Sequence, residues 1–234
     1  LKVEGSRVGG LTGRLYSDEG TACKINKVSV EATIEGVSRL GGIVGLIDAK
    51  SKTNFETPIV TNAYFKGTIK GTTTFPTEDT YIAGEYLGGF AGYARAFNAS
   101  NIVVDANIAG ERHVGGVVGF LQFNTNVPDH NSIIKDCLFK GNLSINIGTN
   151  MGPVVGNRSN SNATTENCIA TGYYLSSSIF MKKEEQVMFD NLNSTAKFGE
   201  AVEALSKEWY AQHLPSLDLE SIFVLDENSF PTLR

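Results

Sequence analysis

The three histidines are the residues of this sequence best suited to metal binding and proton transfer, and they are far apart in the chain. They are His113, His130 and His213, and none has a partner at the spacing of the His-Glu-x-x-His motif of metallopeptidases. A zinc site needs several such ligands at once. We interpret the histidines as surface or turn residues, and we predict no metal site and no cofactor.

Three charged residues occupy equivalent positions in successive, similar segments of the chain: Lys66, Asp105 and Lys140. Polysaccharide-cleaving enzymes built on stacked strands use acids clustered with Lys or Arg, and glycoside hydrolysis requires two carboxylates at a defined separation. The sequence offers no two acids in register. We therefore interpret this column as cross-strand charge pairing on a solvated surface. We predict that the chain has no catalytic residues and is not an enzyme.

The cysteines are too few for a disulfide framework, and no paired Cys-x-x-Cys suggests zinc. They are Cys23, Cys137 and Cys168. Cys137 and Cys168 occupy the same position of neighbouring segments, so they form either a disulfide or redox pair or two stacked buried thiols. We favour stacked thiols, because free cysteine packs as a small buried hydrophobic residue.

Aromatic residues are the best candidates for binding, because tyrosine combines apolar area with a polar tip. The predicted binding residues are Tyr64, Tyr86, Tyr93 and Phe97, with Tyr81 in an adjoining loop. An alternative applies to Tyr64. It shares an apolar column with Val103, Leu138 and Ile169, and that column is also consistent with packing under loops or against a C-terminal helix.

Composition excludes several classes of partner. The 234 residues suffice for one large or two small domains, and the net charge of −5 with a pI near 5.3 lacks the basic stripe of a nucleic-acid-binding protein. No apolar run approaches the roughly 20 residues that span a bilayer. The chain begins Leu1-Lys2-Val3, which we interpret as a mature or trimmed fragment with further sequence expected upstream.

The elements that position these residues recur along the chain. A glycine motif, best preserved at Leu40–Ile47, has paired glycines, two apolar residues and a third glycine. Its copies lie at residues 8–13, 40–45, 87–92, 114–119 and, in degraded form, 151–156. We expect the paired glycines to form a bulge or corner that needs positive φ or close backbone approach.

A second segment alternates apolar and polar residues with the period of a half-buried strand. Its copies are residues 27–34, 62–69, 101–108, 136–143 and 167–174. Asn or Asp opens four of the five copies, which indicates a turn or a side-chain ladder before the strand. One such strand cannot bury its apolar face alone, and stacking successive copies buries it continuously. The sequence therefore predicts an all-β parallel β-solenoid, a right-handed β-helix, with loops between the repeats.

The pattern changes after Tyr174. Residues 198–210 have helical spacing, with Phe198, Val202, Leu205 and Trp209 on one face and Ser194 or Thr195 as the N-cap. A short strand follows at Ser221–Leu225. We predict that residues 1–178 form the solenoid and that residues 179–234 form a C-terminal cap containing one α-helix and a short strand.

With both motifs in view, the sequence resembles the GLUG-motif repeats of bacterial surface proteins. The resemblance is best at Leu40–Ile47 with Asn62–Ile69 and covers residues 8–174. The closing Phe230-Pro231-Thr232-Leu233 is similar to the Tyr-Pro-x-Leu ending of secreted Bacteroidetes relatives, with Phe in place of Tyr. Similar repeats also flank the catalytic part of streptococcal IgA-specific metallopeptidases. The resemblance implies an exported, adhesin-like repeat region and carries over no catalytic residues.

We therefore expect a non-enzymatic, secreted or cell-surface module that binds host or bacterial surface glycans or proteins through its inter-repeat loops. Two alternatives stay open at this point. The chain is a structural stalk that binds nothing, or it is a carbohydrate-active enzyme on a β-helix. An aromatic patch on one face would favour binding, a uniformly polar exterior would favour the stalk, and a cleft with paired acids would favour the enzyme.

Overall fold

The fold is taken from a computed structural model. It describes residues 6–18, 20–49, 56–72, 84–122, 132–145, 150–159, 163–176, 180–182, 197–198, 206–225 and 230–234.

Three sheets of parallel strands wind into a β-solenoid of about four turns, which confirms the predicted all-β parallel β-helix. The first sheet contains β1 (Ser6–Gly9), β4 (Ser38–Gly41), β7 (Glu85–Gly88), β10 (Arg112–Gly115) and β14 (Met151–Gly152). The second contains β2 (Thr12–Ser17), β5 (Val44–Ala49), β8 (Ala91–Ala94), β11 (Val118–Gln122) and β15 (Val155–Ser159).

The third sheet is the longest side of each coil. Its parallel strands are β3 (Lys24–Gly36), β6 (Ile59–Gly71), β9 (Asn98–Gly110), β12 (Ile133–Lys135), β13 (Leu138–Ile145), β16 (Thr164–Glu166) and β17 (Ile169–Ser176). Two short strands continue it at β17, namely β18 (Phe180–Lys182), which is antiparallel, and β19 (Lys197–Phe198), which is parallel.

The repeats stack in the register that the alternating segments predict. Val30 pairs with Phe65, Phe65 with Val104, and Val104 with Phe139, so equivalent residues form one column through the coils. Phe65 and Val104 are fully buried. Each coil therefore buries the apolar face of the next, which is why the chain needs several copies to form a core.

The paired glycines are required by close approach, which is one of the two expected reasons, and not by positive φ. A Cβ at Gly42 would overlap the ring of Phe65, and one at Gly116 would overlap the ring of Phe139. None of the paired glycines in the described residues has positive φ. The left-handed residue stands two positions earlier, where Arg39 has φ of 52°.

Each alternating segment of the third sheet begins with a residue whose backbone is left-handed, and these residues are aligned from coil to coil. They are Lys27, Asn62, Asn101, Asp136 and Asn167, with φ between 49° and 56°. Asn and Asp tolerate this conformation better than most residues. Asn62 donates from Nδ2 to Oδ1 of Asn26 at 2.8 Å, and Asn101 donates in the same way to Asn62 at 3.0 Å. The predicted side-chain ladder is present, whereas Asn62 and Asn101 lie inside β6 and β9 rather than in a turn before the strand.

The helix of the cap begins later than predicted. Helix α1 is Lys207–His213, and Ser206 caps it by accepting a hydrogen bond from the Trp209 amide at 3.2 Å. The predicted start at Phe198 is wrong, because Phe198 lies in β19 and pairs with Ala170. Helical periodicity does not exclude an extended backbone where the sheet offers hydrogen bonds. Residues 199–205 lie outside the described residues.

The cap covers the apolar column that the sequence placed on the outside of the third sheet. The shared cluster contains Tyr64, Val103, Leu138 and Ile169 from the solenoid and Tyr210, Leu214, Leu217, Leu219, Phe223 and Phe230 from the cap. Strand β20 (Phe223–Val224) pairs antiparallel with β21 (Thr232–Leu233) inside this cap. The alternative interpretation of the column, packing beneath the C-terminal segment, is therefore confirmed. The predicted boundary at residues 178 and 179 falls outside the described residues.

The two aligned cysteines are free, buried thiols in adjacent coils. Cys137 Sγ donates to the carbonyl oxygen of Lys135 at 3.3 Å, and Cys168 Sγ donates to that of Glu166 at 3.3 Å. Burial, together with the neighbouring Cys168 thiol, raises the pKa of Cys137. This arrangement agrees with stacked core thiols.

Candidate functional site

Left-handed residues of the first sheet supply one half of the candidate site. Arg7, Arg39, Tyr86 and His113 each precede the paired glycines by two positions, and their φ values are 70°, 52°, 64° and 52°. Their neighbours Leu40, Leu87 and Val114 lie fully buried in the core. The backbone of this column packs closely against the third glycine of the motif. At Gly92, for example, a Cβ would lie 2.7 Å from the carbonyl oxygen of Tyr86.

The second sheet supplies the other half, from the residue that follows the third glycine of each motif. Register pairs Arg14 with Leu46, Leu46 with Tyr93, Tyr93 with Phe120, and Phe120 with Asn157. The next residue of each strand points into the core, as the buried Ala94 and Leu121 show. Strand alternation therefore directs this column to the outer face of the solenoid.

The two columns meet in an aromatic cluster, which we define as Tyr86, Tyr93, His113 and Phe120. The rings of Tyr86 and His113 stack with centroids 5.1 Å apart. Tyr93 meets Tyr86 edge-on at 5.5 Å, and Phe120 lies 5.1 Å from Tyr86 and 5.6 Å from Tyr93. Tyr86, Tyr93 and Phe120 are half-buried, so part of each ring remains accessible.

Buried polar groups hold one side of the aromatic cluster in place. His113 Nε2 lies 3.2 Å from Glu85 Oε1, and Asn157 Nδ2 lies 3.0 Å from His113 Nδ1. Glu85 and His113 are both buried. Burial, followed by the charge of Glu85 and a hydrogen bond to it, raises the pKa of Tyr86 to about 12, so its hydroxyl stays protonated at neutral pH.

Cationic groups lie on the other side of the aromatic cluster. The Arg39 guanidinium lies 5.8 Å from the ring centroid of Tyr86 and 5.4 Å from that of Tyr93, within cation–π range. Arg95 donates from Nη2 to Asp48 Oδ2 at 2.8 Å, and Arg14 reaches the same oxygen at 3.2 Å. These contacts fix the direction of the Arg95 guanidinium near Tyr93 and of the Arg14 guanidinium two coils before it.

The structure brings together two of the four predicted binding residues, Tyr86 and Tyr93. The expectation that Tyr64 and Phe97 are exposed is wrong. Tyr64 is 7% exposed because the cap covers it, and Phe97 is fully buried against Phe90 with ring centroids 6.3 Å apart. Phe97 precedes β9 at a short corner, where its ring fills the end of the coil. Tyr81 lies outside the described residues.

Sequence reasoning missed His113 and Phe120 as members of the cluster. The signal was available in the repeats, because His113 aligns with Tyr86 two residues before the paired glycines and Phe120 aligns with Tyr93 after the third glycine. The interpretation of His113 as a surface or turn residue is wrong, because His113 is buried within the cluster. Among the described residues, no three His, Cys, Asp or Glu side chains are grouped to hold a metal ion.

The charged column on the third sheet has the predicted register. Lys66 stands between Glu31 and Asp105, and Lys140 pairs with Asp105, so charge alternates from coil to coil. Lys66 Nζ lies 4.0 Å from Glu31 Oε1, and both side chains are largely exposed. Exposed pairs of this kind contribute about 0–1 kcal/mol. The column is therefore a solvated surface ladder.

Comparison with protein families, with curated proteins and with solved structures finds no match to this chain. No helix in the described part of the chain is long and apolar enough to cross a bilayer.

Proposed function

We propose that this chain is a non-enzymatic, exported surface module that binds glycans through the aromatic cluster. The observation that carries the proposal is the partial exposure of Tyr86, Tyr93 and Phe120 within one contiguous group. Aromatic faces bind the apolar faces of sugar rings, and nearby polar atoms orient the hydroxyl groups.

The neighbours of the cluster suit a polar ligand better than a large apolar protein interface. Glu85 and Asn157 contact His113 of the cluster, and Arg39 lies over Tyr86. The contacts of Glu85 and Asn157 with His113 hold these side chains in place, so binding orders few of them. The cluster lies on the sheets, which moves the proposed contact away from the inter-repeat loops that the sequence suggested.

The resemblance to adhesin-like GLUG repeats supports an exported location and a surface role, and both remain part of the proposal. A structural stalk is the second candidate. The asparagine ladder and the alternating charges on the third sheet are features that stabilise coils without any ligand.

A glycan array separates the two functions. We expect wild type to bind at least one glycan class and the double variant Tyr93→Leu/Phe120→Leu to lose that binding. Leucine keeps apolar volume while removing the flat ring. The control is Ile133→Ala, which removes an exposed apolar side chain, 37% exposed, from the third sheet. Circular dichroism and thermal unfolding confirm the fold of each variant.

Retention of binding in the double variant would overturn the placement of the site. Failure of folded wild type to bind any glycan on the array would overturn the binding function and leave the stalk.

A further inference from the structure

Arginine and lysine are segregated between the faces of the solenoid. The strands of the third sheet carry lysine and no arginine, with Lys24, Lys27, Lys66, Lys70, Lys135 and Lys140 as examples. The described strands of the first and second sheets carry no lysine, and their arginines are Arg7, Arg14, Arg39, Arg112 and Arg158. Arg95 follows β8 directly. The described strands therefore carry lysine on the third sheet and arginine on the first and second sheets.

Three of these arginines, Arg7, Arg14 and Arg39, stand in the coils before Tyr86 and Tyr93, and Arg95 reaches from the coil of Tyr93 to Asp48. Arg7 precedes Arg39 in the left-handed column, as the pairing of Val8 with Leu40 shows. Arg14 stands in the outer column two coils before Tyr93, and its guanidinium lies 4.5 Å from the ring centroid of Tyr16. Arg112 faces Glu85 across the strands, and Arg158 turns to the Ala163 carbonyl oxygen, so neither joins this group.

Carboxylates contact some of these residues. Arg14 and Arg95 each contact Asp48, and Glu85 contacts His113 of the aromatic cluster. Arg7 is exposed, and the Arg14 side chain is 46% exposed. Arginine side chains are therefore accessible next to half-buried aromatic residues.

The choice of arginine points to the chemistry of the ligand. A guanidinium group is planar, stacks on aromatic rings and donates two parallel hydrogen bonds to a carboxylate or another oxyanion. A lysine ammonium does neither in the same way. Arg39 already lies over the rings of Tyr86 and Tyr93, so its planar group is held next to the aromatic cluster.

Resting on the proposed glycan-binding function, we propose that the ligand is an acidic glycan. Its sugar rings lie on Tyr93 and Phe120, and its carboxylate or sulfate groups meet Arg39 and Arg14. Tyr93 and Phe120 stand in adjacent coils about 4.8 Å apart along the solenoid axis. A linear glycan running along this axis passes from the aromatic rings to the arginines.

Affinity electrophoresis with matched polysaccharides tests this inference. The first pair is polygalacturonate and its carboxyl-reduced neutral form, and the second is dextran sulfate and dextran. We expect the wild type to bind one acidic member about tenfold or more tightly than its neutral match, and the pair that shows the difference distinguishes carboxylate from sulfate. Arg39→Gln and Arg14→Gln should each weaken that binding several-fold, whereas Arg234→Gln, an exposed arginine in the cap, should not.

An acidic polymer could also bind to the arginines by charge alone, without the aromatic rings. In that case Tyr93→Leu/Phe120→Leu would bind the acidic polymer as tightly as the wild type, and this result would overturn the inference. Equal affinity for acidic and neutral members, or no binding to either acidic polymer, would overturn it as well. Binding to neutral glycans that the double variant loses would leave the proposed function standing, so the two failures are distinguishable.

Discussion

The ring of Tyr86 lies parallel to the imidazole of His113, with centroids 5.1 Å apart and planes inclined by 6°. Both residues stand two positions before paired glycines in consecutive repeats, and both have a left-handed backbone. The stacking is therefore a product of the repeat, because equivalent positions in adjacent coils must face each other. The glycine motif therefore shapes the corner of each coil and also positions two residues of the aromatic cluster.

Replacing Gly42 by alanine should destabilise the solenoid. A Cβ at this position overlaps the Phe65 ring and the Gly89 carbonyl oxygen, and neither can withdraw without disturbing the next coil. We expect a loss of roughly 1–3 kcal/mol in the free energy of unfolding, measured by urea denaturation. Ser29→Ala, on an exposed position of β3, serves as the control and should change stability by less than about 0.5 kcal/mol. A Gly42→Ala variant as stable as the wild type would contradict the close packing at this corner.

Replacing Asp136 by asparagine should stabilise the protein. Asp136 Oδ2 and Asn101 Oδ1 are buried acceptors without a hydrogen-bond partner in the described residues, and register places them on neighbouring rungs of the ladder. The amide of an asparagine at position 136 supplies the donor that the carboxylate lacks. We expect a gain of about 1 kcal/mol in unfolding free energy by urea denaturation. Asn62→Asp, which removes an existing donor to Asn26, should have the opposite sign. A loss of stability in Asp136→Asn would show that the carboxylate has another partner.

The position of the helix cap is tested by two serines. Ser206→Ala removes the side chain that accepts from the Trp209 amide, and we expect a cost of about 1 kcal/mol in stability. Ser194→Ala changes the cap that periodicity predicted and should have little effect. If Ser194→Ala destabilised the cap and Ser206→Ala did not, the observed start of the helix would be wrong.

Tyr64 and Tyr86 are among the tyrosines that should make stability fall at alkaline pH. Burial is the largest cause of the raised pKa of Tyr64, and the same holds for Tyr86; each rises from 10.0 to about 12. Because the folded-state pKa lies above the unfolded value, the neutral hydroxyls contribute stability that is fully present below pH 10 and is lost as the pH rises toward 12. Urea unfolding between pH 8 and pH 11.5 measures this loss. The Tyr64→Phe/Tyr86→Phe variant should show a shallower decline, and an identical decline would refute the assignment.

The architecture was predictable because the core repeats with the chain. Phe65, Val104 and Phe139 occupy one alignment column, so stacking follows from sequence alone. The start of the helix was not predictable, because the spacing of Phe198 and Trp209 fits a helix and only tertiary pairing with Ala170 makes residue 198 a strand.

Two of the four members of the aromatic cluster were predictable from the sequence, and the other two were not. Tyr86 and Tyr93 were identified by residue type, but exposure depends on which side of the coil a residue faces. Phe97 turns inward at a corner, and a segment about 150 residues further along the chain covers Tyr64. The left-handed backbone at Tyr86 has no signature in the residue type, because tyrosine, unlike Asn, Asp or His, is not enriched at positive φ.

Fluorine NMR on protein labelled with 3-fluorotyrosine tests the central claim most directly. Tyr86 and Tyr93 are assigned by single Tyr→Phe substitutions, and each glycan retained on the array is titrated against the labelled protein. We expect the Tyr86 and Tyr93 signals to shift on glycan addition, while those of Tyr64, which the cap covers, and Tyr210, which is buried within the cap, stay in place. Unmoved Tyr86 and Tyr93 signals under saturating glycan would contradict this expectation.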